Sequence, residues 1–105
     1  MGFELGERHG RLAIAGEMTM YFAGELKSAL LSAVSERRGE ALVDLSQVSE
    51  IDTAGLQVLL LVRRLARASG RRFALLDPSV PATEVLELCG LGIAIERAAR
   101  TDDAP

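Results

Sequence analysis

Val43-Asp44-Leu45-Ser46-Gln47-Val48-Ser49-Glu50-Ile51-Asp52-Thr53-Ala54-Gly55-Leu56-Gln57 is the stretch whose reading decides the fold. It is entered through Ala41-Leu42-Val43-Asp44-Leu45, a short, mostly apolar run of the kind that forms a central strand covered on both faces. Ser46 to Asp52 reads as a polar connection broken by Val48 and Ile51. Thr53 then opens a helical segment that runs to about Ser69 and ends at Gly70. A buried strand therefore leads onto a hydroxyl residue at a helix start. Free backbone N–H groups and the positive end of the helix dipole stabilise an oxyanion there, by about 0.3–1 kcal/mol when exposed. Gly55 has no Cβ to keep such a group away from the backbone. Asp and Thr are also favoured helix-capping types, and capping is compatible with a role in binding an anion.

Outward from this stretch, strands and helices alternate. Met1 to Glu7 reads as a short strand with Phe3 and Leu5 on one face, and His9-Gly10 as a turn. Arg11 to Gly16 alternates around Leu12 and Ile14 and completes a hairpin. Between Tyr21 and Arg37, residues Phe22, Leu26, Ala29, Leu30 and Ala33 fall at helical spacing, closed by Gly39. Arg72 to Leu76 is the next strand. Asp77-Pro78-Ser79-Val80-Pro81 is a turn that starts a third helix carrying Val85, Leu86 and Leu88 and capped at Gly90. Gly92 to Glu96 reads as a last strand. The order β-β-α-β-α-β-α-β implies an α/β fold, a mixed β-sheet with helices packed on it. One domain is expected over residues 1–97, followed by a loose C-terminal tail over 98–105.

Composition narrows the function. The chain has 105 residues, 49% apolar and 26% charged, with a net charge of −3, so no general pull toward nucleic acid is expected. Cys89 and His9 are the only residues of their types. Too few ligands are present for a Cys- or His-based metal site, and no metal or other cofactor is expected. The same scarcity, with no P-loop and no nucleophile elbow, argues against an enzyme. The longest apolar run, Val58 to Val62, is far too short to span a membrane, and no signal peptide is expected. These features point to a cytoplasmic protein. Cys89, on an apolar helix, reads as a small core residue, and His9 as a solvated turn residue.

Asp44-Leu45-Ser46 followed by Asp52-Thr53-Ala54-Gly55-Leu56 resembles the STAS domain, the fold of anti-sigma-factor antagonists and of the cytosolic tails of sulfate transporters. The resemblance extends over nearly the whole chain. Gly16-Glu17-Met18 looks like the end of the family's second strand, and Leu86-Glu87-Leu88-Cys89-Gly90-Leu91 like its third helix and exit. The resemblance implies a phosphorylation-controlled, protein-binding switch in signal transduction, working by partner switching. Thr53 would be the phosphoacceptor, with Asp52, Ala54 and Gly55 as its neighbours. The implied partner is a serine/threonine kinase-like anti-sigma factor or another signalling protein. Two positions depart from the pattern: Thr53 stands where many members have Ser, and Thr19 where antagonists commonly have Asp. Ile51 to Gln57 is also similar to STAS proteins of chemotaxis clusters and to the small STAS subunit of a lipid-transport ATPase. The alternative function is therefore a constitutive accessory subunit of a transport ATPase or of a chemotaxis complex.

At ~100° per residue, Val58, Leu61, Val62 and Leu65 gather on the core side of the second helix. Thr53, Gln57, Arg63, Arg64 and Arg67 gather on the other side, and Leu56 and Leu60 fall within that polar arc. Single exposed leucines are common and need no function. The sharper expectation is a docking surface with Leu56 and Leu60 at its apolar centre, Gln57 beside them, and the three arginines as its rim.

Overall fold

A computed structural model of the chain describes residues 2–90. The expected strand at Gly92–Glu96, the domain end at 97 and the tail lie outside the described residues. Strands β1 (Phe3–Arg8) and β2 (Arg11–Met18) form the hairpin. His9 and Gly10 join them, and both have positive φ, 51° and 80°. That pair of left-handed residues is what a two-residue type I′ turn requires, because its twist matches that of the strands it joins. Then follow α1 (Ala23–Glu36), β3 (Ala41–Ile51), α2 (Thr53–Ala68), β4 (Phe73–Leu76) and α3 (Val80–Leu88). Among the described residues the sheet order is β1-β2-β3-β4, antiparallel between β1 and β2 and parallel elsewhere. This is the expected mixed α/β arrangement.

The segment read as a polar connection, Ser46 to Asp52, is instead strand as far as Ile51. Two irregularities in the β2–β3 register account for the misreading. Ala13 pairs with Asp44 but Ala15 with Gln47, and Gly16 pairs with Val48 but Glu17 with Glu50. Each places an extra residue in β3, as a β-bulge does. Leu45, Val48 and Ile51 are therefore all buried although they stand three apart, a spacing that breaks the period-two signature of a strand.

All three helices among the described residues contribute to one apolar core. Leu26, Leu30 and Val34 of α1 meet Leu59 and Val62 of α2, Leu86 of α3, and Ile14, Val43, Leu45 and Phe73 from the strands. Leu45 and Leu59 are fully buried. Truncating either to Ala would cost about 2–5 kcal/mol, through lost transfer energy and the cavity left behind. The third helix departs from expectation at its end. Leu88 and Cys89 are exposed, because α3 turns Ala82 and Leu86 inward and Cys89 already stands at its C-cap.

Candidate functional site

The hydroxyl residue at the start of α2 is exposed. Thr53 is the first residue of the helix, and Asp52 before it is the N-cap, in extended conformation (φ −122°, ψ −171°). The Asp52 side chain faces two ways. Its Oδ1 accepts the N–H groups of Ala54 (3.0 Å) and Gly55 (3.1 Å), satisfying two donors that a helix start leaves open. Its Oδ2 accepts the N–H of Met20 at 2.9 Å, across from the turn that follows β2. Partial burial pushes this carboxyl up, but the N–H donors of Met20, Gly55 and Ala54 outweigh it. The group is held below the ordinary carboxylate range and stays ionised.

Gly55 has a different reason from the one expected. A Cβ built on it would lie 2.0 Å from the Met18 carbonyl oxygen. The glycine lets α2 rest against the end of β2, rather than leaving room for a visiting anion. The Asp52 N–H completes the join by donating to Met18 O at 3.2 Å. The turn after β2 is thus fastened to the helix start through Met18 and Met20. Thr19 between them is buried, and its Oγ1 has no hydrogen-bond partner among the described residues. Met20 and Tyr21, in contrast, are 67% and 83% exposed. Sequence reasoning missed both, because they lie between elements and belong to no periodic stripe. The available signal was that large side chains there follow a strand that ends at Met18.

The stripe on α2 is only partly as expected. Gln57, Arg64 and Arg67 are exposed, Arg63 is half-buried, and Leu60 with the three arginines frames a shallow hollow. Leu56 is the correction: it is 3% exposed and belongs to the core. Leu60 is half-buried and packs against that core. Leu65, placed on the core side by the helical period, is 45% exposed. The physical reason is the contact at Gly55. It brings the first turn of α2 close to β2 and turns Leu56 inward, while Leu65, three turns on, falls outside the buried arc.

Asp44-Leu45-Ser46, the other half of the sequence pattern, is a structural fastening. Asp44 is buried. Its Oδ1 accepts the Ser46 N–H at 2.8 Å, and its Oδ2 lies 3.7 Å from Arg11. Leu45 O accepts the N–H of Ser79, the N-cap of α3, at 3.1 Å. No group of three or more metal-ligating side chains occurs among the described residues, and none of their helices is long and apolar enough to cross a membrane.

A mixed sheet with all its described helices feeding one core, and a capped helix start carrying an exposed threonine, defines a small α/β domain built around the end of its third strand. The chain belongs to the STAS family: residues 1–96 match the family described as "Mlab, STAS domain". The fold is similar to that of the anti-sigma factor antagonist SpoIIAA in its unphosphorylated form, with a TM-score of 0.70 and 20% identity over 97% of this chain and 95% of that one. It is also similar to SpoIIAA, the Bacillus cell fate determinant, in the phosphorylated form (TM-score 0.63, 20% identity, 98% and 99% covered). A Thermotoga maritima protein assigned as an anti-sigma factor antagonist matches with a TM-score of 0.74 and 19% identity, over 96% of this chain and 92% of that one.

Proposed function

We propose that this chain is a phosphorylation-controlled docking module that acts by binding a protein partner and not by catalysis. Thr53 is the phosphoacceptor, with Asp52, Ala54 and Gly55 as its setting. The partner, a serine/threonine kinase-like anti-sigma factor or another signalling protein, covers Thr53, Gln57, Leu60, Arg63, Arg64 and Arg67 together with Met20 and Tyr21. Leu56 supports this face from beneath. Tyr and Met are side-chain types enriched at the centres of interfaces.

One observation carries the reading. Thr53 is open to solvent while two of the N–H groups at its helix start, those of Ala54 and Gly55, are already taken by the Asp52 carboxylate. A phosphate on Thr53 brings about −1.5 to −2 charges at neutral pH. It would find an anion where a bare helix start would offer donors. The new charge then faces the partner and must be desolvated for docking, at a cost of several kcal/mol unless the partner supplies a cation. Since 1.4 kcal/mol is tenfold in affinity, one phosphate suffices to release a partner. SpoIIAA, whose fold this chain shares, is known in both phosphorylated and unphosphorylated forms.

The test is a quantitative pull-down of the cognate partner with wild type, Thr53→Ala and Thr53→Glu. The switch requires that Thr53→Ala retains the partner and Thr53→Glu loses at least tenfold in affinity. A constitutive accessory subunit is the second reading, favoured by the buried Thr19 at a position where antagonists commonly carry Asp. It requires equal retention by all three forms.

A further inference from the structure

The far half of α2 borders a cleft that the Thr53 face does not use. Leu31 and Val34 of α1 face Val62, Leu65 and Ala66 of α2 across an open groove of about 340 Å³. That is the low end of the range for small-molecule sites, about 300–1,000 Å³. Leu65, 45% exposed, borders the groove, although the helical period assigns it to the core side. Ser35 and Ser69 also line the groove, but their hydroxyls donate to carbonyls of their own helices, Ser32 at 2.9 Å and Leu65 at 3.2 Å.

The remaining lining residue is Arg71, the one charged side chain in the wall. Its Nε donates to Gly39 O at 2.9 Å and its Nη1 to Val34 O at 2.7 Å. These two carbonyls fix the guanidinium without neutralising it. Its Nη2 is buried and has no acceptor, and Arg71 has no carboxylate partner among the described residues. A half-buried, immobilised cation with no carboxylate partner among the described residues, set in an apolar wall, favours a ligand with an apolar body and an anionic head. We propose that the α1–α2 cleft binds a small aliphatic carboxylate, its chain against Leu65 and Ala66 and its head toward Arg71. The cleft lies about 20 Å along α2 from Thr53, at 1.5 Å of rise per residue, so this site does not depend on the docking face.

Octanoate, octylamine and 1-octanol titrated into ¹⁵N-labelled protein test the proposal by amide chemical shifts. Octanoate saturates shifts at Leu31–Ser35 and Val62–Ser69, the amine and the alcohol bind at least tenfold more weakly, and Arg71→Met weakens octanoate at least tenfold. Arg71 also fastens two carbonyls, so Ser35→Phe, which fills the groove from an exposed position, provides a second variant and abolishes the shifts. Equal binding of octylamine, shifts that map elsewhere, full octanoate binding by Ser35→Phe, or no saturation by about 10 mM overturns the site.

Discussion

Asp52 and Met20 are 32 residues apart in sequence and joined by one hydrogen bond of 2.9 Å, from the Met20 N–H to Oδ2 of the carboxylate. The other oxygen of the same carboxylate caps α2. One ionised group therefore positions both the helix start that carries Thr53 and the turn that presents Met20 and Tyr21. The two parts of the proposed docking face are mechanically one.

Two substitutions at Asp52 separate these duties. In Asp52→Asn the amide oxygen can still accept from Ala54 and Gly55, but the NH₂ group then faces the Met20 N–H, donor against donor. In Asp52→Ala both contacts are lost. We expect about 1 kcal/mol of destabilisation for Asn and about 2 kcal/mol for Ala, from cap loss and unmade hydrogen bonds. Urea unfolding measures the totals. Amide exchange assigns them: Met20 exchanges faster in both variants, and Ala54 and Gly55 lose protection only in Asp52→Ala. Unchanged exchange at Met20 in Asp52→Asn would show that the turn stands without this contact.

The depressed Asp52 pKa makes part of the stability pH-dependent, with a definite sign. The folded carboxyl titrates below its unfolded counterpart, so the folded state binds fewer protons between the two values. The contribution is complete above the unfolded value, ordinarily about 3.9. It is lost as pH falls from there through the folded pKa. The stability difference between wild type and Asp52→Asn, followed by urea unfolding, is therefore flat from neutral pH to about 5 and shrinks below it. A difference that shrinks already between about pH 7 and 5 would mean that another group titrates.

Gly55→Ala is expected to be among the most damaging single-methyl changes in the chain. The added carbon meets backbone, the Met18 carbonyl oxygen at 2.0 Å and its carbon at 2.8 Å, so no side-chain rotation relieves the clash. α2 must lift from the end of β2, and Leu56, which that contact turns inward, lifts with it. Overpacking of this kind costs about 3 kcal/mol or more, a fall of roughly 12 °C or more in Tm for a domain of this size. Gly24→Ala, where a Cβ meets nothing within 4 Å, is the control and is expected to be neutral or stabilising. Thermal unfolding of the two variants compares them directly.

What the sequence made legible follows the range of the interactions. The hairpin could be read at His9-Gly10, and the helix starts at Asp52 and Ser79, because turn and cap chemistry lies within a few residues. The full length of β3 could not, since its bulges are set by pairing with β2, and pairing that resets the alternation leaves no period to find. The helical period puts Leu56 and Leu65 on the wrong sides for a related reason. A helical wheel gives the relative angles of side chains, but the rotation of α2 is set by the Gly55–Met18 contact with another element. Met20 and Tyr21 were silent because exposure in a turn has no pattern. Only the hydrogen bond from the Met20 N–H to Asp52 shows that their turn lies against the residue that precedes Thr53.

Phosphorylation of Thr53 is expected to reach the Met20 turn through Asp52. A phosphate on the adjacent residue opposes the ionised carboxylate, so the Asp52 pKa rises toward the ordinary range. It also competes for the Ala54 and Gly55 N–H groups that the carboxylate now holds. Repulsion by the phosphate and loss of the cap bonds both displace the carboxylate and so weaken the hold of Oδ2 on the Met20 N–H. The phosphorylated protein should therefore show an Asp52 carboxyl carbon that titrates at higher pH, and faster amide exchange at Met20 and Tyr21, with the core amides of β3 unchanged. Thr53→Glu reproduces the direction with a smaller amplitude, having one charge instead of nearly two. Thr53→Ala, at an exposed position, stays within about 0.5 kcal/mol of wild type and leaves Asp52 where it is. If phosphothreonine at 53 leaves the Asp52 titration and Met20 exchange untouched, the turn is not part of the switch, and the phosphate acts on the partner by its charge alone.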